Sequence, residues 1–344
     1  MRDLAKIALP LGAASLLLGA VPAQAETKIL FNYFVPPKHP LVVGVIHNWA
    51  KRVTEGSSGR ITVNYPAKTL APAPRQWKMV TSGIADATVM FNNFERKRLS
   101  LDQVGTLPFS ITDASSTATA LWRTHKKYFE AKNQYKGVKF LGYVMHGGGE
   151  FFSLKSPIGS LADLKGKKMR VPPGDVAKAL AKTGASVVPT PGIKAFDVVS
   201  KGIVDGMIFP IGDVEKLKMT PYVKHLTKVP GKVYGSVFSL YMNQKVWNRL
   251  SKEDQAVVTA ASGEKISMDS NNWGNFDIEA EGTFRKKGIG IHNASAEFTA
   301  DLKKLWAYQD EAWIATANKA GVDGRAALDF YRAESKRIHK ASRN

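Results

Sequence analysis

The sequence predicts an α/β protein of two lobes with a cleft between them. One observation is a short segment that occurs twice in variant form, as Gly83-Ile84-Ala85-Asp86-Ala87 and as Gly202-Ile203-Val204-Asp205-Gly206. Each copy follows a helix-like run and leads into an apolar strand-like run, Thr88 to Phe91 and Met207 to Phe209. A second observation is the alternation of strand and helix patterns, an order that gives a mainly parallel sheet covered by helices. A third is the N-terminus. Arg2 and Lys6 accompany an apolar stretch from Ile7 to Val21, and Ala23-Gln24-Ala25 offers small residues for cleavage before Glu26. Residues 1–25 therefore read as an export signal, since the apolar stretch is shorter than the ~20 residues that span a bilayer. The expectation is a periplasmic protein, not embedded in the membrane, with a solute held between its lobes.

The elements follow in order. Lys28 to Phe34 reads as a strand, ended by Pro36-Pro37, and Leu41 to Thr54 carries helical spacing through Val42, Val45, Ile46, Trp49 and Val53. Arg60 to Tyr65 alternates as a strand, Pro74 to Thr81 is a short helix closed by Gly83, and Ala87 to Phe91 is a third strand. The second half enters with Gly137 to Val144. It continues with strands at Lys167 to Val171, Ser186 to Val188 and Ile203 to Phe209, separated by helices at Asp175 to Thr183 and Lys194 to Lys201. Ser239 to Asn243 reads as a strand returning to the first lobe. From Ser251, with Asp254 completing a helix-start box, a helical pattern runs to Lys287; unbroken, it would be about 55 Å long. Gly263 and Gly274 are places for it to bend, and the tail beyond is helical too. The lobes are expected at 26–147 plus 237–276 and at 148–236 plus 277–344.

Composition narrows the chemistry. The chain has no cysteine, which excludes disulfides, thiolate metal sites and cysteine nucleophiles. Its net charge of +20 is strongly basic, but Lys and Arg are spread along the chain and no nucleic-acid-binding module is present. A diffuse positive field favours anionic solutes; a merely solvated basic surface fits equally. The seven histidines show no metal-ligand spacing. There is no Gly-x-Ser-x-Gly elbow, and Gly147-Gly148-Gly149 lacks the Lys-Ser/Thr of a phosphate loop. No cofactor, metal site or enzymatic constellation is expected. The triple glycine reads as a crossing between lobes, and His146 before it as a turn or surface residue that can also touch a ligand. Arg170, at the carboxyl end of a predicted strand, lies where open sheets bind ligands. It can clamp a carboxylate through two parallel hydrogen bonds, or stand as a solvated charge.

Three segments resolve that choice by likeness. Leu164 to Pro172 (Leu-Lys-Gly-Lys-Lys-Met-Arg-Val-Pro), Gly184 to Pro189, and Gly202 to Gly206 resemble the solute receptors of TRAP (tripartite ATP-independent periplasmic) transporters, the C4-dicarboxylate-binding-protein-like family. Met242 to Trp247 with Leu250-Ser251 resembles that family's junction between strand and long helix. The resemblance implies a two-lobed periplasmic-binding-protein fold with crossover strands and one long helix spanning both lobes. It also implies delivery of the solute to a membrane permease, and Arg170 as the carboxylate clamp. Two departures stand out: Glu150 occupies roughly the place where many relatives carry a second arginine, and Phe209-Pro210 replaces Asn-Pro. The site thus exchanges polar contacts for apolar surface. The expected ligand is a small organic acid, a monocarboxylate with an apolar or aromatic body. Arg170 would hold its charge, with Phe209, Tyr33, Phe34, Trp77, Phe91 and Tyr234 around the body. Asn92 would face a ligand hydroxyl, and Glu150 a ligand amine or hydroxyl, if it is not simply paired. A C4-dicarboxylate or amine-bearing acid is the alternative within the family. A sensory module serving a membrane kinase is the alternative outside transport.

Overall fold

The structure, a computed structural model, describes residues 26–343; the expected export signal lies outside them. The described residues hold eleven strands: β1 (Thr27–Asn32), β2 (Ile61–Asn64), β3 (Ala87–Phe91), β4 (Val138–Met145), β5 (Gly149–Ser153), β6 (Lys168–Val171), β7 (Ser186–Pro189), β8 (Gly206–Pro210), β9 (His225–Lys228), β10 (Val237–Asn243) and β11 (Gly290–Asn293). They form two sheets, ordered β2-β1-β3-β10-β4 and β11-β9-β5-β8-β6-β7. Within the first, β1, β2 and β3 are parallel, while β10 runs antiparallel between β3 and β4. Both sheets are thus mixed rather than mainly parallel. The reason is topological: β10 and β5 arrive from the opposite lobe and enter against the direction of their neighbours.

The duplicated segment has a structural explanation. Gly83 and Gly202 close their helices with left-handed backbones, φ +77° and +64°. The aspartate three residues on then bonds to the backbone of a neighbouring strand that precedes it in the chain. Asp86 Oδ2 accepts from the Leu30 amide at 2.9 Å and its own amide donates to Leu30 O. Asp205 repeats both contacts with Lys168, at 2.9 and 2.7 Å. Both copies therefore pin the start of a core strand to its neighbour.

Both faces of each sheet are covered, as successive residues show. Val89 and Met90 enter opposite hydrophobic clusters of the first lobe, and Phe151 and Phe152 those of the second. The two crossings between lobes run side by side. Val237 pairs with Met145 in the first sheet, and Gly149 bridges Tyr234 at the edge of the second. The third link is the helix Asn271–Lys286, which buries Trp273 in the first lobe and Ala280 and Phe284 in the second. This helix spans both lobes but is shorter than expected. The stretch from Ser251 breaks at Ser262-Gly263, where Gly263 has φ +67°, and again at Asp269-Ser270. The tail also departs from expectation. Trp313, Ile314, Leu328 and Tyr331 pack into the first lobe rather than the second, and the Ser335 hydroxyl bonds Thr112 Oγ1 at 2.8 Å. Helix Gly324–Ala341 finds its apolar partner in helix Ala114–Thr124, which carries the complementary buried face.

At the crossing, a methyl group on Gly149 would lie 1.8 Å from Tyr234 Cε1. Gly149→Ala is expected to lower stability by about 1–3 kcal/mol, the usual cost of overpacking. Urea denaturation of the ligand-free protein measures it.

Candidate functional site

Strand β6 lies between β7 and β8, parallel to both, and carries Arg170 one residue before its end. The strand pattern buries this side chain to 1 % exposure. Its Nε and Nη2 donate to Thr190 O and its Nη1 to Ile208 O. Of the five guanidinium N–H groups, these bonds engage one on each nitrogen, which leaves one on each terminal nitrogen, with the Tyr234 hydroxyl as a further hydrogen-bonding neighbour. The Phe209 ring lies against the guanidinium, 4.5 Å from centroid to Cζ. No carboxylate among the described residues forms an ion pair with it. Burial lowers its pKa to about 10, with Tyr234 and Asp213 opposing, so it keeps its charge at neutral pH.

The cleft encloses roughly 700 Å³, including its open mouth, within the usual range for small-molecule sites. Phe34, Phe91, Phe94 and Phe238 line it from the first lobe; Ile193 and Phe209 line it from the second. Phe91 meets Phe94 edge to face at 5.4 Å and Phe238 at 5.3 Å. Tyr234 reaches the cleft from the crossing itself.

A polar corner completes it. Asp213 Oδ1 accepts from Trp273 Nε1 at 2.9 Å and lies 3.5 Å from His39 Nε2. Burial pushes the Asp213 carboxyl up, but His39, His146 and Trp273 outweigh it and hold the group below its usual range. His146 lies nearby, its Nδ1 accepting from the Gly148 amide at 2.9 Å. Burial lowers its pKa to about 4, so the ring is neutral. Behind this corner Asp277 Oδ1 accepts from the Gly212 amide at 2.7 Å. Burial drives its pKa up to about 7, against the pull of that amide.

The expected site residues divide. Arg170, Phe209, Phe34, Phe91 and Tyr234 line the cleft; four do not. Trp77 packs in the core of the first lobe, 5.2 Å from the Tyr241 ring, with Arg98 over its face. Its helix covers the sheet instead of facing the mouth. Tyr33 leans on Tyr65 at 5.8 Å. Asn92 starts the turn after β3 and points inward, donating to Asp102 Oδ2 at 2.9 Å and accepting from Ser239 at 2.8 Å. Asn93, beside it, reaches across instead, its amide donating to Pro173 O at 3.2 Å. Glu150 is fully buried, paired with Lys232 Nζ at 2.5 Å and with the Val229 amide at 2.8 Å. It is a structural carboxylate at the crossing. Asp213, His39 and Trp273 were not expected at the site, and His146 was expected as a turn or surface residue that can also touch a ligand. Only the triple glycine after His146, marking the crossing, pointed toward that corner.

The family model of bacterial extracellular solute-binding proteins, family 7, matches residues 31–312. The chain belongs to this family. Its members are solute receptors rather than enzymes. The family 7 chain is 30% identical over 323 residues to the outer membrane transporter protein TsaT of Comamonas testosteroni, covering 93% of this chain and 96% of that one. A TRAP periplasmic solute-binding protein of Bordetella bronchiseptica, solved with (R)- and (S)-mandelate, superposes with a TM-score of 0.87. It is 27% identical and covers 91% of this chain and 99% of its own. A TRAP solute-binding protein of Rhodoferax ferrireducens, solved with copurified benzoate, superposes at 0.83 with 26% identity, over 92% and 100% of the two chains.

Asp277 gives a pH signature. Its folded pKa lies above the unfolded value, so its stabilising contribution is full below about pH 4 and is lost as pH rises toward 7. Between pH 5 and 8, Asp277→Asn is expected to gain roughly 2 kcal/mol on the wild type, read as the difference of their urea midpoints at the two pH values.

Proposed function

We propose that this chain is a periplasmic receptor for a small aromatic monocarboxylate, which it delivers to a TRAP permease in the membrane, and that residues 1–25 are its cleaved export signal. The observation that carries the reading is Arg170: a charged guanidinium, buried, unpaired with any acid among the described residues, and opening on an aromatic cleft. Two parallel N–H groups match a carboxylate's two oxygens. The ligand's ring then lies among Phe91, Phe209 and Phe238, where burial and edge-to-face contacts stabilise it.

Charge argues against a dicarboxylate. Among the described residues, Arg170 is the sole Arg or Lys lining the cleft, and Asp213 faces the same space. A second carboxylate would be desolvated beside a like charge. The related receptors solved with mandelate and benzoate hold aromatic monocarboxylates, which supports the same ligand class here.

The refolded protein should show a midpoint rise of several degrees with saturating benzoate-like acids, since ligand at ~100 times its Kd adds about 2.7 kcal/mol. Succinate and malate should give none. Arg170→Met should weaken aromatic-acid binding about 100-fold or more, the effect of truncating one partner of a buried charge pair. Titration calorimetry measures this directly. A stronger response to dicarboxylates, or undiminished binding by the variant, would contradict the assignment.

A further inference from the structure

Besides Arg170, His146 is a cleft-lining residue with hydrogen-bonding capacity unmet among the described residues. Its Nδ1 accepts from the Gly148 amide, so in the neutral ring the proton sits on Nε2. That Nε2 is buried without a partner among the described residues, and the whole side chain is 2 % exposed. The ring cannot easily turn to find one. Tyr234 and Trp273 flank it, each with ring centroids at 5.6 Å and at steep angles. A buried donor left unmet carries a desolvation cost of about 1–3 kcal/mol.

We propose, resting on the aromatic-acid reading above, that His146 Nε2–H donates to a hydroxyl oxygen of the solute, making His146 a specificity residue for hydroxylated aromatic acids over their deoxy counterparts. The carboxylate is not the natural partner of this nitrogen, because Arg170 already offers it two N–H groups. The corner is also unfavourable to a second anion, since Asp213 stands there in its charged form. A neutral hydroxyl fits both neighbours: it accepts from His146 and can donate to the Asp213 carboxylate. The resulting contact lies at the end of β4 beside the crossing, while the Arg170 contact lies in the second sheet. The solute would therefore be gripped from both lobes.

The test is calorimetric titration of two acid pairs, mandelate against phenylacetate and 3-hydroxybenzoate against benzoate. In the wild type the hydroxylated member of at least one pair should bind about tenfold tighter or more. His146→Phe should bring that ratio to within about threefold. His146→Asn keeps an acceptor for the Gly148 amide and loses the distal donor, so it should behave the same way if the phenyl ring disturbs folding. His146→Gln, whose amide reaches about as far as Nε2, should retain much of the preference. A wild type with no hydroxyl preference in either pair, or a preference that survives in both His146→Phe and His146→Asn, overturns this inference and leaves the carboxylate clamp standing. A wild type that binds none of the four acids overturns both.

Discussion

The site depends on keeping a positive charge out of water without giving it a negative partner from the protein. Burying a lone charge is costly, and Arg170 lowers the cost with two backbone carbonyls and the face of Phe209. These contacts fix the guanidinium plane but do not neutralise it. In the proposed role, a carboxylate arriving in the cleft would meet donors already oriented, and little further ordering would be needed. The strand ends of β6 and β8 supply this geometry. Thr190 follows β7, Ile208 belongs to β8, and the register of the three parallel strands brings both carbonyls onto one side chain. Phe209 adds ring surface to the cleft beside the guanidinium.

The same elements that join the lobes also build the pocket. Tyr234 and His146 stand on the two crossings, and Trp273 on the helix that spans them. Across the rim, Asn93 bonds Pro173 O and Arg96 pairs with Asp175. Any rotation of one lobe against the other must move these groups together. In the proposed role, solute capture would be coupled to the relative position of the lobes through these few side chains. Glu150 and Lys232 have a quieter role, filling the space beside the crossing with a satisfied ion pair. Their desolvation makes the pair a poor source of stability and a firm constraint on register.

Much of the fold was legible because it rests on local rules. Strand-like apolar patterns placed β1 to β3 within two residues of their ends, and Gly83 and Gly202, which take positive φ, marked the helix ends. The strands β5, β9 and β11 went unread: Gly149 to Ser153 begins inside the triple glycine, and His225 to Lys228 and Gly290 to Asn293 each carry a single large apolar residue. The tail's docking was equally hidden: an amphipathic helix shows that one face is buried, not which lobe buries it. Within the site, Arg170 was visible from its strand-end position together with family likeness. Asn92 was misplaced because a turn can aim either of two adjacent asparagines at the cleft, and only the Asp102–Ser239 network decides between them. Asp213 and Trp273 come from segments distant in sequence, and their meeting is a property of the closed tertiary arrangement alone.

The central claim is the carboxylate contact, and a crystal structure of the refolded protein with benzoate tests it most directly. The account predicts both carboxylate oxygens about 3 Å from the terminal nitrogens of Arg170, with the ring against Phe91 and Phe209. A carboxylate bound elsewhere, for instance on Lys232, or a ring turned toward Arg170 with the charge in solvent, would contradict it.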